Sequence, residues 1–341
     1  MELTPNRRLE KIIILARHGA RAPKKLPPSI HNHRYLWDER LGELTRYGEE
    51  QMKELGRFIR QQYSHQLGLD ISLNSLREEV HMISTESQRT IESAWHFLQG
   101  LLGQELDMET FMEQLTVIPR SEDVWFKKHK QETVRQMIHE SRKNPEWSAK
   151  EEETAELRKH LTEVTGWNVS LSSMNSLCSL VKCYLQNHKD MPLPLSPEVL
   201  EQVYEIGEWV IRHKFQDQVV RNHIVEDMAH LLLRCIHPSE SESVKVRYVA
   251  AHDTTLMTLL SIFEKNCLID VNLPNFGSYL VFEVWESDTP VQNSTDTEPP
   301  YRYVRILYDN EKLRLNTGKS KTSVGTLEDI LFRIETSQEA Y

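Results

Sequence analysis

The chain has 341 residues, of which 39% are hydrophobic and 27% charged, and this balance excludes a disordered polyelectrolyte. Its formal net charge of −10 argues against a nucleic-acid-binding protein, since such proteins are usually basic. No apolar run approaches the roughly 20 residues of a transmembrane helix. The 12 glycines and 14 prolines are few for this length, which favours helices over an all-β fold.

The first hundred residues alternate between predicted strands and helices. A continuous apolar, β-branched run at 11–16 is typical of a strand buried on both faces. An apolar stripe over 45–62 predicts a helix with Thr45 as its N-cap. A short strand is predicted at 79–83, and Thr85 with Gln88 forms a capping-box pattern at the start of a second helix. The buried face of that helix is predicted to comprise Ile91, Trp95, Leu98 and Leu102.

Residues 105–240 differ in composition from the first hundred residues. They contain long polar stretches, with sparse apolar positions at helical spacing. Two apolar stripes, at 199–211 and 224–235, predict helices, and no strand is predicted between 105 and 237. Trp167 in this segment is expected to be a core or interface residue. We therefore predict an inserted helical cap domain over 105–240.

Strands return in the last third of the chain, at 245–251, 278–285 and 301–308, which are rich in β-branched and aromatic residues. Asp309 and Asn310 then predict a turn. Together with the first segment, this pattern predicts an α/β fold with a mixed, mostly parallel sheet flanked by helices. Its α/β core would comprise residues 1–104 and 241–341.

The cysteines and the N-terminal residues bear on the cellular compartment. Four cysteines are too few for a disulfide scaffold, and we predict free core thiols at Cys178, Cys183, Cys235 and Cys267. The first eleven residues lack the apolar segment of a secretory signal. An intracellular, cytoplasmic location is therefore expected, with a lysosomal, vesicular or secreted one as the alternative if a signal has been removed.

Three strand-to-helix junctions carry the residues best suited to chemistry. Arg17, His18 and Arg21 lie in the segment LARHGARAPKK, directly after the first buried strand. Arg89 lies in the first turn of the second helix, where backbone N–H groups and the helix dipole favour anions. The pair His252-Asp253 follows the strand at 245–251.

Each junction has an ordinary alternative: a basic surface loop, a surface arginine or an N-capping aspartate. However, the ends of parallel strands meet at one edge of a sheet, where ligands of open α/β folds bind. If the junctions converge there, they form a phosphate cradle with a nucleophile and a proton donor.

The segment from Arg17 to Pro23 resembles the RHGxRxP signature of the histidine acid phosphatases, which belong to the histidine phosphatase (phosphoglycerate mutase-like) superfamily. The pair His252-Asp253 resembles the second, HD signature of that family, and the two threonines after it are more similar to the prostatic and lysosomal type. Segments 44–56 and 84–94 also resemble family patterns. The resemblance covers roughly 11–102 and 245–315.

This resemblance implies a metal-independent acid phosphatase that hydrolyses phosphate monoesters through a covalent phosphohistidine and needs no cofactor. His18 would be the nucleophile, and Asp253 would be the general acid and then the base. The phosphoryl oxygens would be bound by Arg17, Arg21, Arg89 and His252. The physiological substrate and the oligomeric state stay open, with a homodimer as one alternative.

Two other functions remain as alternatives. A phosphohistidine-dependent mutase of the same superfamily would lack the HD pair and place its carboxylate elsewhere. A catalytically inactive phosphate-binding protein would be expected to have lost His18 or Asp253. Both residues are present, so the sequence favours the phosphatase.

Overall fold

One eight-stranded sheet runs through the computed structural model, which describes residues 7–123, 130–236, 243–263, 273–289, 301–313, 315–316, 321–322 and 324–325. Its strands are β1 (Arg7–Arg17), β2 (Val80–Thr85), β3 (Leu115–Ile118), β4 (Val246–Ala251), β5 (Tyr279–Ser287), β6 (Tyr301–Tyr308), β7 (Glu311–Lys312) and β10 (Val324–Gly325). A separate two-stranded sheet is formed by β8 (Leu315–Asn316) and β9 (Lys321–Thr322).

The strand order is β10-β6-β5-β1-β4-β2-β3, and β7 pairs with β6. Strands β1, β4, β2 and β3 are parallel neighbours. Strand β5 is antiparallel to β1, and β6 is antiparallel to β5, so β6 again runs in the direction of β1. Among the six longer described strands, β5 alone runs the other way. The prediction of a mixed, mostly parallel sheet is therefore confirmed.

Helices cover both faces of this sheet and continue beyond it. They are α1 (Arg46–Leu67), α2 (Leu73–Glu79), α3 (Gln88–Leu102), α4 (Met108–Met112), α5 (Glu132–Ser141), α6 (Pro145–Glu153), α7 (Ala155–Thr165), α8 (Met174–Gln186), α9 (Pro197–Gln216), α10 (Gln218–Ile236) and α11 (Asp253–Phe263). Of the helices in the described ranges, none combines the length and the apolar character needed to cross a bilayer.

The alternation of side chains along β1 divides the core between the two faces. Ile12 and Ile14 pack with α1 and α3 on one face, whereas Ile13 and Leu15 pack with α10 and α11 on the other. Helices α1 and α3 approach closely at Gly56, where an added Cβ would lie 2.1 Å from the Phe97 carbonyl oxygen. A third apolar cluster, built mainly from α8, α9 and the segment before them, lies beside the sheet.

Several local predictions are confirmed. Thr45 is the N-cap of α1, because its hydroxyl accepts a hydrogen bond from the Gly48 N–H at 3.2 Å. The two apolar stripes correspond to α9 and α10. Asp309 and Asn310 form the predicted turn with positive φ angles. Cys178, Cys183 and Cys235 are buried thiols outside any disulfide, and Cys267 lies outside the described residues.

One prediction about the helical region is wrong. Strand β3 lies inside 105–237, where no strand was expected, and it extends the parallel sheet beside β2. Helices α5 and α10, from the same region, pack on one face of the sheet. The division into a core and an inserted cap at 105–240 stays a prediction, and β3 belongs with the sheet rather than with a cap.

The predicted capping box at Thr85 is also wrong. Strand β2 continues through Thr85, so helix α3 begins two residues later than that pattern requires, with Ser87 as its N-cap. The buried face of α3 is correspondingly rotated. Ile91 and Trp95 are only half-buried, while Ala94, Phe97 and Leu101 are fully buried with the predicted Leu98 and Leu102.

Candidate active site

All six predicted site residues line one cavity at the carboxyl edge of the parallel strands. Neighbouring strands fix the end of β1, because the Arg17 N–H donates to the Ser278 carbonyl at 2.8 Å and the His18 N–H donates to the Ala251 carbonyl at 3.1 Å. The chain therefore leaves β1 between β4 and β5, beside the start of α11. This edge is the one at which the sequence motifs were expected to converge.

The turn after His18 depends on two glycines that allow backbones to touch. A Cβ on Gly19 would lie 2.4 Å from the Gly48 carbonyl oxygen, and one on Gly48 would lie 2.1 Å from the Ala20 carbonyl oxygen. The backbone N–H groups of this turn are hydrogen-bonded to side chains. The Gly19 N–H donates to Ser93 Oγ and the Ala20 N–H donates to Gln51 Oε1, both at 3.1 Å. The loop is thus held against the first two turns of α1 and the second turn of α3.

His18 has a defined proton position. Its Nδ1 lies 2.8 Å from the Gly19 carbonyl oxygen, and a carbonyl only accepts, so Nδ1 carries the hydrogen and Nε2 carries the lone pair. Burial, together with the charges of Arg89 and Arg17, holds the pKa of His18 well below its usual range. The imidazole is therefore a neutral nucleophile even at acidic pH.

Arg17 and Arg21 flank His18 and are both almost fully buried. Arg17 donates one Nη to the Pro274 carbonyl at 2.6 Å, and its other Nη lies 3.0 Å from Asp253 Oδ2. Burial lowers the pKa of Arg17, although the Asp253 charge opposes this shift. Arg21 donates to Ser179 Oγ at 2.9 Å and contacts Cys183 Sγ at 3.4 Å, both on α8.

Arg89 and His252 form the third side of the site. The Arg89 Nη2 donates toward His252 Nδ1 at 3.4 Å, and a guanidinium cannot accept, so this Nδ1 is unprotonated. His252 Nε2–H then donates to Thr85 Oγ1 at 3.2 Å. Burial and the charge of Arg21 lower the pKa of Arg89 to about 10, which leaves it charged at neutral pH.

The three arginines share an unusual feature. Each has a buried Nε with no hydrogen-bond partner among the described residues: Arg17, Arg21 and Arg89. Unsatisfied buried donors are costly, and all three arginines that carry them line the same cavity as His18. Guanidinium donors match the geometry of phosphate oxygens, so the arrangement suits a phosphoryl group.

Asp253 completes the site at the first turn of α11. Its Oδ1 accepts from the Thr254 N–H at 2.8 Å, and 46% of its side chain is exposed in the cavity. Desolvation opposes ionisation of this carboxyl, but the charges of Arg17 and Lys24 outweigh it and hold its pKa well below the usual range. Asp253 is therefore ionised in the ligand-free protein.

The cavity has a volume of about 660 Å³ and a cationic lining. Its basic side chains are Arg17, Arg21, Lys24, Lys25, Arg89, Lys130, Lys182 and Lys214. Among the described lining residues, Asp253 is the one acidic side chain. Trp167 packs partly against the helical cluster, as expected for a core residue, but it also lines this cavity. Within the described ranges, no three His, Cys, Asp or Glu side chains are grouped to hold a metal ion.

Some contributors to the site carry no signal in the sequence. Ser179 and Cys183, which hold Arg21, occur singly on a helix of the predicted insert, and Pro274 precedes a predicted strand without a motif. Their roles arise because α8 and the 273–278 segment fold back over the loop after β1. Periodicity and turn chemistry do not report such long-range contacts.

Comparison with known proteins identifies similar chains. The family model for the histidine phosphatase superfamily (branch 2) matches residues 8–187 and 216–309. Mouse testicular acid phosphatase is 28% identical over 291 residues, covering 80% of this chain and 66% of the relative. Human lysosomal acid phosphatase is 24% identical over 304 residues, covering 85% and 70%. The chain thus spans about two thirds of the length of these relatives.

Solved structures show the same fold at low sequence identity. The phytase of Klebsiella sp. ASR1 superposes with a TM-score of 0.68 at 15% identity, covering 97% of this chain and 96% of the phytase. The multiple inositol polyphosphate phosphatase of Bifidobacterium longum, in complex with phosphate, gives 0.58 at 10% identity, covering 91% and 88%.

Proposed function

The chain belongs to branch 2 of the histidine phosphatase superfamily, and from this premise we propose that it is an acid phosphatase that hydrolyses phosphate monoesters through a phosphohistidine on His18. One observation carries the proposal. A neutral imidazole with its lone pair on Nε2 lies among three arginines whose buried Nε donors lack partners. That combination supplies a nucleophile and the donors for an anion in the same place.

In the first step, Nε2 of His18 attacks the phosphorus atom. A P–N bond forms as the P–O bond to the leaving group breaks, and the leaving oxygen takes a proton from the Asp253 carboxyl. The imidazole becomes positively charged during this step. Its Nδ1–H bond to the Gly19 carbonyl keeps the ring oriented and stabilises that charge. The arginines balance the charge on the phosphoryl oxygens.

The proton for this step must come with the substrate, because Asp253 is ionised beforehand. A phosphate monoester has a second pKa of about 6, so below that value it arrives as a monoanion that carries the proton. Once bound, the phosphate charge offsets that of Arg17, and the proton moves to the carboxylate. The lowered pKa of His18 keeps it neutral over the same range. Activity should therefore decline above roughly pH 6.

In the second step, a water molecule attacks the phosphohistidine. The Asp253 carboxylate takes a proton from the water, the new P–O bond forms, and the P–N bond breaks. Inorganic phosphate leaves, and His18 is again neutral. One carboxyl thus acts as acid and then as base, since the leaving group and the water use the same face of the phosphorus in turn.

The lining of the cavity supports a substrate class. Within the described residues, Lys24, Lys25 and Lys214 form no direct ion pair, although the charge of Asp253 acts on Lys24 and Lys214, whereas Lys182 is paired with Glu208 at 3.1 Å. This excess positive charge favours esters that carry anionic groups besides the scissile phosphate. The names of the structural neighbours, phytase and multiple inositol polyphosphate phosphatase, agree with this choice.

A phosphate-release assay with p-nitrophenyl phosphate across roughly pH 4 to 8, where carboxyl and imidazole groups titrate, tests the reaction class. We expect inorganic phosphate to be released, with the highest rate at acidic pH. After quenching, we expect to detect an acid-labile phosphoryl group on His18. A mutase would move phosphate between sugar phosphates with little net release, and an inactive binding protein would bind phosphate without any release. Comparing glycerol phosphate with inositol hexakisphosphate, in the wild type and in Lys214→Ala, tests the substrate class.

A further inference from the structure

Phe276 does not line the cavity, but its ring packs against three of the residues that do, and it has no role in the chemistry described above. Its ring centroid is 4.2 Å from the guanidinium carbon of Arg17, 5.4 Å from that of Arg21 and 5.6 Å from the ring centroid of His18. The side chain is 3% exposed. Within the described residues, this one ring contacts the nucleophile and two of the three proposed phosphate-binding arginines.

We propose that Phe276 is a positioning residue, whose ring face orients Arg17 and Arg21 for the phosphoryl group. This inference rests on the proposed function. A guanidinium over an aromatic face is attracted by the negative π cloud, and the attraction is larger at desolvated sites. Stacking also restricts rotation of the planar group, so its donors stay directed at one point.

The arginines need this support because their other contacts leave part of each guanidinium unsatisfied. Arg17 is held at its two Nη atoms, by the Pro274 carbonyl and by Asp253, while its buried Nε has no hydrogen-bond partner among the described residues. Arg21 is likewise held at its Nη atoms on α8, and its Nε is unpartnered. The ring of Phe276 is the contact that the two groups share. It contacts both guanidinium groups without occupying any of their hydrogen-bond donors.

Phe276 is itself fixed in place from two sides. Its N–H donates to Gln186 Oε1 of α8 at 3.1 Å, and its carbonyl accepts from Gln51 Nε2 of α1 at 2.7 Å. The same Gln51 side chain accepts from the Ala20 N–H in the loop after His18. The next residue, Gly277, donates its N–H to the His18 carbonyl at 3.1 Å. The ring therefore cannot drift independently of the nucleophile loop.

A purely structural role is the competing explanation, because Phe276 also packs in the helical cluster with Ala20 and Ala22. The two roles differ in what they require of the ring. Packing depends on its shape, whereas ordering of the arginines depends on the charge distribution of its face. A substitution that changes the charge distribution of the ring face but keeps the ring shape therefore distinguishes the two roles.

The decisive experiment replaces Phe276 by mono-, di- and trifluorinated phenylalanine, which keep the shape but progressively weaken the π cloud. Binding of inorganic phosphate is measured by calorimetry, alongside kcat, KM and Tm. We expect phosphate affinity and kcat/KM to fall stepwise, by on the order of tenfold at full fluorination, with Tm nearly constant. Phe276→Leu should show a loss of similar size with a lower Tm.

Phe97 provides the matched control. It is fully buried and stacks on Tyr248 at 3.9 Å, outside the cavity, so the same fluorinated series there should leave phosphate affinity unchanged. If phosphate affinity does not change across the fluorinated series at Phe276, and Phe276→Leu lowers only Tm, the inference is overturned. Phe276 is then a core residue without a positioning role. If Phe276→Leu does not fold, the fluorinated series still distinguishes the positioning role from a packing role. A wild-type protein that binds phosphate but does not hydrolyse esters would refute the proposed function without affecting this test.

Discussion

Replacing Asp253 by asparagine removes the proposed proton site while keeping the shape of the side chain. The amide oxygen can still accept from the Thr254 N–H, so the first turn of α11 keeps its contact. What is lost is the charge that faces Arg17 at 3.0 Å. Because 46% of the Asp253 side chain is exposed, solvent screens this pair, and its loss should cost on the order of 1 kcal/mol of stability. The variant should therefore fold.

The catalytic cost should be much larger and should depend on the leaving group. General acid catalysis contributes about 10²- to 10⁴-fold, so hydrolysis of glycerol phosphate, whose alkoxide needs a proton, should fall by that factor. Nitrophenolate leaves without a proton, so phosphorylation of His18 by p-nitrophenyl phosphate should be largely spared. Loss of the base then slows the second step, and the phosphoenzyme should accumulate.

The assay measures burst amplitude, steady-state kcat/KM and pH profiles for both substrates. Glu283→Gln is the matched control, because Glu283 is a buried carboxylate outside the cavity that accepts hydrogen bonds from Tyr63 and Trp285. That change should lower stability without any leaving-group dependence. Equal losses on both substrates in Asp253→Asn, with an unchanged pH profile, would refute the proton-donor role and leave Asp253 as a partner of Arg17.

Four further predictions follow from the same geometry. His18→Ala should abolish turnover but retain measurable binding of vanadate, since the arginines remain; turnover near the wild-type rate would exclude the covalent route. Arg89→Ala should lower kcat/KM on the order of 10²- to 10³-fold, and Arg89→Lys should also impair it, whereas the exposed Arg57→Ala should match the wild type. For the wild type, kcat/KM should fall about tenfold per pH unit above roughly pH 6, as the substrate monoanion disappears; a profile that rises through neutral pH would contradict this proton source. Gly56→Ala should lower the free energy of unfolding by about 1–3 kcal/mol in denaturant unfolding, because its Cβ would collide with the Phe97 carbonyl. In the control Gly68→Ala, the added Cβ meets no atom within 4 Å. That variant should cost only about 1–2 kcal/mol, because of the positive φ at this position.

Local sequence patterns determined where the principal site residues lie along the chain and to which elements they belong. The apolar run of β1, the stripe of α1 and the motif residues after β1 and β4 are each recognised from a short stretch of neighbouring residues. Parallel strands place their carboxyl ends at one edge, so the convergence of Arg17, Arg89 and Asp253 follows from the topology. Where the local signal was ambiguous, as at Thr85, extension of the strand outweighed the capping pattern.

The tertiary structure alone decided how those residues are held and charged. The hydrogen bond between His252 and Thr85 joins residues 167 positions apart, and the hydrogen bond between Arg21 and Ser179 joins residues 158 positions apart. No periodicity extends over such distances. The neutral state of His18 and the ionised state of Asp253 depend on burial and on the summed charges of side chains from several elements. Sequence therefore determined which groups are present, whereas packing determined their proton positions and orientation, because both depend on neighbours that meet only in the folded chain.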